Sequence, residues 1–109
     1  MVKQVVLVKR KQGSSRDEFI RHYEHVYAPL IMKHAPSIKR YVRNYVVSRL
    51  DAEGMDFDCI TEVWYDSMDG FNRFYEFWRS EAGKVIRNEE GFWDRDRLAI
   101  FFVEETMSE

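Results

Sequence analysis

The chain has 109 residues, 45 % hydrophobic and 33 % charged, with a formal net charge of −2. That length accommodates a single domain, residues 1–109, around one core, and a near-neutral charge without a block of like sign gives no electrostatic footprint for nucleic acid. No apolar run approaches the roughly 20 residues of a membrane-spanning helix, and one cysteine, Cys59, excludes an internal disulfide and a cysteine-based zinc site.

Aromatic residues make up 16 % of the chain. That is more than so small a core needs, which points to a pocket or an interface. The apolar run at the N-terminus is too short for a signal peptide and leads straight into a strand, so cytoplasm is the expected compartment.

Residues 3–10 read as a strand rich in β-branched side chains, followed by a turn at Gln12, Gly13 and Ser14. Ser15 with Glu18 three residues on has the pattern of a capping box. The helix it opens runs over about residues 16–33, with an apolar stripe of Phe19, Tyr23, Val26, Tyr27 and Leu30. Pro29 inside that helix removes a backbone donor and disfavours helical geometry at Ala28, so a kink or early loosening is expected there. A loop at Pro36 and Ser37 leads to a long strand over 38–49. A polar loop over 51–56, containing Gly54, precedes a third strand over 57–66. Ser67 caps a second helix with the stripe Phe71, Phe74, Tyr75 and Trp78. A helical or irregular segment over 81–93 and a final strand over 97–104 complete the chain.

This βαββαβ order fits an α+β, ferredoxin-like sandwich: an antiparallel sheet with both helices on one face. Val5 to Val8 and Leu98 to Val103 are apolar without interruption, whereas a strand with one wet face should alternate. Two helices cover one face of a sheet, so a second copy is the simplest cover for the other. The expected assembly is a homodimer with its sheets face to face, a dimeric α/β barrel. The alternative is that the terminal strands are simply hydrophobic.

At about 100° per residue, Tyr23 lies near the centre of the first helix's stripe, Tyr27 at its edge and His22 at the boundary, while His25 points to solvent. On the third strand Asp58, Ile60, Glu62, Trp64 and Asp66 share one face, and Cys59, Thr61, Val63 and Tyr65 the other. Asp58 and Glu62 are about 13 Å apart, too far for a carboxylate dyad, though both can line one wall. Glu62, mid-strand between Ile60 and Trp64, either pairs with Arg40, Arg43 or Arg97 or serves as an acid or base. Tyr27, His22 and Glu62 together could carry proton-transfer chemistry on a carbonyl compound. The bland alternative makes the tyrosines core residues and His22 a surface one. His22 and His25 lack zinc-motif spacing, no phosphate loop or nucleophile elbow occurs, and Cys59 reads as a small buried filler.

Several segments resemble the EthD family of dimeric α/β barrel proteins: Val6 to Phe19, His22 and Tyr23, Tyr27 to Leu30, Ile38 to Tyr45, Phe57 to Asp66, and Asn88 to Asp94. Their order and spacing carry the resemblance. It implies a pocket between helices and sheet that uses neither cofactor nor metal, in relatives that include lyases, cyclases, dehydratases and lactone isomerases of polyketide and aromatic metabolism. Others are accessory proteins of degradation pathways. The family pattern reads His-Ala-Pro-Leu at the end of the first helix. Here the histidine is replaced by Tyr27, while Asp58, Glu62 and Asp94 are kept.

The leading expectation is therefore an enzyme of lyase or isomerase type acting on a small apolar carbonyl or phenolic substrate. Tyr27 and His22 would exchange the proton, Glu62, Asp58 and Asp94 would orient or act as base, and Tyr23, Trp64, Phe74 and Trp78 would shape the pocket. Two alternatives stand beside it: a protein that binds a hydrophobic metabolite without turnover, and a cofactor-free or haem-dependent monooxygenase.

Overall fold

A computed structural model describes residues 1–51 and 56–108. Positions 52–55, where Gly54 of the expected polar loop falls, lie outside the described residues. Four strands, β1 (Val2–Val8), β2 (Ile38–Tyr45), β3 (Cys59–Tyr65) and β4 (Ala99–Val103), form one antiparallel sheet in the order β2-β3-β1-β4. Helices α1 (Arg16–His22), α2 (Ala28–His34), α3 (Met68–Arg79) and α4 (Lys84–Arg87) complete an α+β architecture. β2 stops four residues short of the expected Arg49. Among the described residues no strand pairs with its outer edge, and past Tyr45 one further backbone bond, from the Val46 N–H to the Asp58 carbonyl, continues the register it shares with β3.

The capping box of α1 is formed as the sequence indicates: the Ser15 side chain accepts the Glu18 N–H, and the Glu18 carboxylate accepts the Ser15 N–H. Ser67 likewise caps α3 by accepting the Gly70 N–H. The loosening expected around Pro29 takes the form of a wider turn just ahead of it. Between α1 and α2 the helix widens into a π-helical turn over Tyr23–Tyr27, closed by the Ala28 N–H donating to the Tyr23 carbonyl. Pro29 then falls in the first turn of α2, where a missing N–H costs nothing. The same widening turns Val26 outward, to 39 % exposure, although an unbroken α-helix would set it in the stripe. Phe19, Tyr23, Tyr27, Ile31 and Ala35, each four residues from the last, are all buried.

The strands alternate between two environments. Val8, Cys59, Thr61, Val63 and Tyr65 face the helices and are buried. Lys3, Val5, Leu7, Arg40, Val42, Ile60, Glu62, Trp64, Phe101 and Val103 alternate with that set and lie on the opposite face, which no helix among the described residues covers. Ile60, Phe101 and Val103 there are 39 %, 49 % and 40 % exposed. The uninterrupted apolar character of β1 and β4 thus corresponds to one covered and one uncovered apolar face.

The segment after α3 is held from three sides. Ile86 is fully buried. The Arg87 guanidinium donates to the carbonyls of Trp78 and Ser80. At Gly83 an added Cβ would come within 2.2 Å of the carbonyl oxygens of Phe77 and Trp78, so only glycine lets this turn close on the end of α3. Further on, Lys11 donates its N–H to the Phe92 carbonyl, and Asp94 donates its own to the Lys9 carbonyl. These contacts fix the 3-10 turn Glu90–Phe92 against the end of α3 and the continuation of β1.

Candidate active site

A cavity of about 450 Å³ lies between the sheet, α3 and the π-helical turn, within the usual range for small-molecule sites. Its walls are mostly apolar and aromatic. Ile31 and Tyr27 come from the first helical run, Val6 and Val63 from the sheet, and Phe74 and Trp78 from α3.

Among the described residues one carboxyl group lines this interior. Glu90 is 4 % exposed and accepts two hydrogen bonds on the same oxygen, Oε2: from the Tyr27 hydroxyl at 2.6 Å and from the Trp78 indole N–H at 2.9 Å. No cation pairs with it among the described residues. The Tyr27 ring is wedged against Phe92 and Trp93, with centroids 5.3 and 5.1 Å away. Burial, and secondarily the neighbouring Glu90 carboxyl, push the Tyr27 phenol well above its usual range. Tyr27 is therefore a neutral phenol.

Tyr23 stands one turn earlier on the same wall, with its hydroxyl 2.6 Å from Thr61 Oγ1. Burial raises its phenol too. Thr61 Oγ1 lies 3.4 Å from Cys59 Sγ, and burial pushes that thiol up to about 11, which makes Cys59 an inert core residue. Gln4 and Tyr65 are a further buried polar pair in the wall. Among the described residues no three His, Cys, Asp or Glu side chains converge as a metal site.

The residues singled out from sequence divide sharply. Tyr27, Tyr23, Phe74 and Trp78 line the cavity. Glu62 and Trp64 do not: they lie on the uncovered face of the sheet. There Glu62 pairs with Lys3 at 2.8 Å and accepts from Asn44 at 3.0 Å, not from the arginines considered. Lys3 holds its carboxyl below the usual range, the opposite of what a general acid needs. Trp64 is sandwiched by cations, with Lys3 and Arg40 4.6 and 4.9 Å from its ring.

Asp58 ties down the end of β1, accepting the Arg10 backbone N–H at 2.8 Å and its guanidinium at 3.1 Å. Asp94 caps the 3-10 turn Arg95–Arg97 by accepting the Asp96 N–H at 3.0 Å. His22 donates from Nε2 to the Glu89 carbonyl at 3.0 Å and packs on Phe92, behind the wall. His25 is exposed, as its helical phase indicates. The residue that the sequence did not single out is Glu90. Its signal was faint: an acid followed directly by Gly91, Phe92 and Trp93 in an irregular segment.

The model of the EthD domain matches residues 11–96 of this chain. The chain belongs to the EthD family. The fold of this EthD protein is shared by an ethyl tert-butyl ether D family protein of Bacillus halodurans, at 17 % identity, 97 % and 100 % coverage of the two chains and a TM-score of 0.68. A hydroxynitrile lyase from Passiflora edulis is similar at 18 % identity, 98 % and 96 % coverage and a TM-score of 0.59. A dimeric ferredoxin-like protein of Thermobifida fusca is similar at 11 % identity, 94 % and 88 % coverage and a TM-score of 0.61. No curated protein matches the sequence. Identities this low carry the fold and no more. Among the described residues of this EthD protein no helix is long and apolar enough to cross a membrane.

Proposed function

We propose that this EthD protein is a small-molecule lyase or isomerase that works by proton transfer through Tyr27 and Glu90. The observation that carries the reading is the 2.6 Å hydrogen bond from the Tyr27 hydroxyl to Glu90 on the wall of a mostly apolar cavity. The Tyr27 oxygen accepts a proton from a substrate hydroxyl or from the carbon beside a carbonyl, while its own proton moves to Glu90 Oε2. The proton returns to the leaving group or the rearranged product by the reverse path. The Trp78 N–H keeps Oε2 in place throughout. Apolar walls favour a substrate with an aromatic or conjugated body. This reading pairs Tyr27 with Glu90 in place of His22 and Glu62, neither of which is among the residues lining the cavity. One structural neighbour is a hydroxynitrile lyase, which makes cleavage of an aromatic cyanohydrin to aldehyde and cyanide a natural first assay.

The working assembly is a homodimer through the uncovered sheet face. Its exposed Ile60, Phe101 and Val103 support this, as does the dimeric state of a structural neighbour.

The test is turnover of a panel of aromatic cyanohydrins, β-keto compounds and unsaturated lactones, followed by chromatography, with Tyr27→Phe and Glu90→Gln alongside. Turnover that both substitutions abolish supports the proposal. Tight retention of ligands with no turnover of any panel member favours a metabolite-binding role, and turnover indifferent to both substitutions removes Tyr27 and Glu90 from the chemistry.

A further inference from the structure

Among the described residues that line the cavity, the one cationic group is Arg95. It sits on the 3-10 turn Arg95–Arg97 and is exposed. Its nearest acid in sequence is turned away: Asp94 caps the Asp96 N–H and faces Arg97 at 3.8 Å. Among the described residues no carboxylate pairs with the Arg95 guanidinium. The cavity thus has two polar ends of opposite chemistry. At the buried end a carboxyl accepts hydrogen bonds from Tyr27 and Trp78. At the solvent end stands a guanidinium cation to which no partner is joined among the described residues.

Between these ends the walls are flat. Phe71, Tyr75 and Trp78 run along α3 with successive rings nearly parallel, 14° and 12° apart, at centroid spacings of 6.0 and 5.9 Å. Ile100 and Phe102 of β4, 54 % and 46 % exposed, carry the apolar surface out to the mouth.

Building on the reading of this cavity as the substrate site, we infer that its ligand is a planar aromatic or conjugated carboxylate. The ring system lies along the α3 aromatics, and the carboxylate is held by Arg95 at the mouth. A neutral apolar molecule would gain nothing from the guanidinium and would strip part of its water. A carboxylate takes two of its N–H donors in a matched fork. The polarity also sets the direction of entry. The buried end presents an acceptor and a phenol already donating to it, which repels a second carboxylate, so the anion stays outside and the reacting oxygen goes in towards Tyr27.

The experiment is ligand titration by tryptophan fluorescence, with Trp78 and Trp93 in the wall as reporters. The probes are naphthoate and its uncharged methyl ester, and the proteins are the full chain, Arg95→Gln and Tyr27→Phe. Naphthoate should bind the unmodified chain about tenfold more tightly than the ester, the scale of one charge-assisted contact at a partly wet site, and its advantage should shrink as salt is added. Arg95→Gln should weaken naphthoate to the level of the ester and leave the ester unchanged, whereas Tyr27→Phe should keep the preference. Equal binding of acid and ester, or a preference that survives Arg95→Gln, overturns the carboxylate assignment while leaving the cavity a binding site. Failure of both probes to bind overturns the assignment and the reading of the cavity together.

Discussion

The Tyr27 hydroxyl and the Glu90 carboxyl, 63 residues apart in the chain, meet at 2.6 Å inside the protein. Among the described residues Glu90 is the one carboxyl in the cavity wall, and the phenol beside it is held neutral by burial. A buried donor joined to a buried acceptor, with an apolar space in front, is the arrangement on which the proposed proton path rests.

Removing either end should break that path. Tyr27→Phe and Glu90→Gln should each lower turnover of a cognate substrate by at least about a hundredfold, the usual range for a positioned acid or base. The ring and the amide retain most of the packing, so circular dichroism should stay native. The double variant should be little worse than either single one, because the two groups act as a unit. His22→Gln, by contrast, should keep most of its activity, since His22 holds the Glu89 carbonyl from behind the wall.

Tyr23 tests the opposite role. Its hydroxyl is committed to Thr61 at 2.6 Å. Tyr23→Phe leaves the Thr61 hydroxyl with the Cys59 thiol as its remaining side-chain neighbour. Thermal or urea unfolding should show a loss of about 1–2 kcal/mol, the cost of one buried hydrogen bond, with bound-ligand turnover largely retained.

The pH dependence of stability should carry a mark of Glu24. Its carboxylate takes both arms of the Arg43 guanidinium at 2.9 and 2.8 Å, and also the Tyr45 hydroxyl. Arg43 holds its carboxyl below the ordinary 4.5. A carboxylate depressed in the folded state stabilises fully above its unfolded value and loses that contribution as the pH falls through its folded value. Glu24→Gln should therefore cost about 1 kcal/mol at neutral pH, a modest figure for a partly solvated pair. The gap to the unmodified chain should close in acid well below 4.5. A gap that persists unchanged in acid would refute the ionic origin.

The uncovered sheet face predicts its own phenotype. Phe101 stands there half-exposed among Val5, Leu7 and Ile60 on the same face. Phe101→Asp should raise the dimer dissociation constant by more than about tenfold, as the loss of a central aromatic contact does. Light scattering coupled to size exclusion would read it. An unmodified chain that stays monomeric at high micromolar concentration would remove the dimer.

The fold was legible because its signals are local and repeated. Ser15 with Glu18, Ser67 ahead of α3, and the alternation from Cys59 to Tyr65 each announce an element whose partners lie within a few residues. The site was half legible. Tyr23, Tyr27, Phe74 and Trp78 sit on regular helical stripes, and their inward faces follow from phase. Glu62 misled because alternation gives two faces without naming the covered one. The covered face was the one free of charge, with Cys59, Thr61 and Val63, and Glu62 belongs to the other. Glu90 was hidden for a different reason. It lies in a short turn without periodicity, and its direction is set by distant contacts: Ile86 in the core, Arg87 on the end of α3, and the backbone bonds of Lys9 and Lys11.

The widened turn over Tyr23–Tyr27 has a consequence for how this pocket can change. Buried positions every four residues from Phe19 to Ala35 drift around an ordinary α-helix by about 40° at each step, and the slack in this turn takes up part of that drift. A π turn holds about one residue more than an α turn, so removing one residue from it would restore a regular helix and leave the residues beyond it in nearly the same phase. The inward placement of Ile31 and Ala35 is thus preserved through a single-residue deletion at this turn, where the same deletion in a regular helix would swing everything beyond it by about 100°.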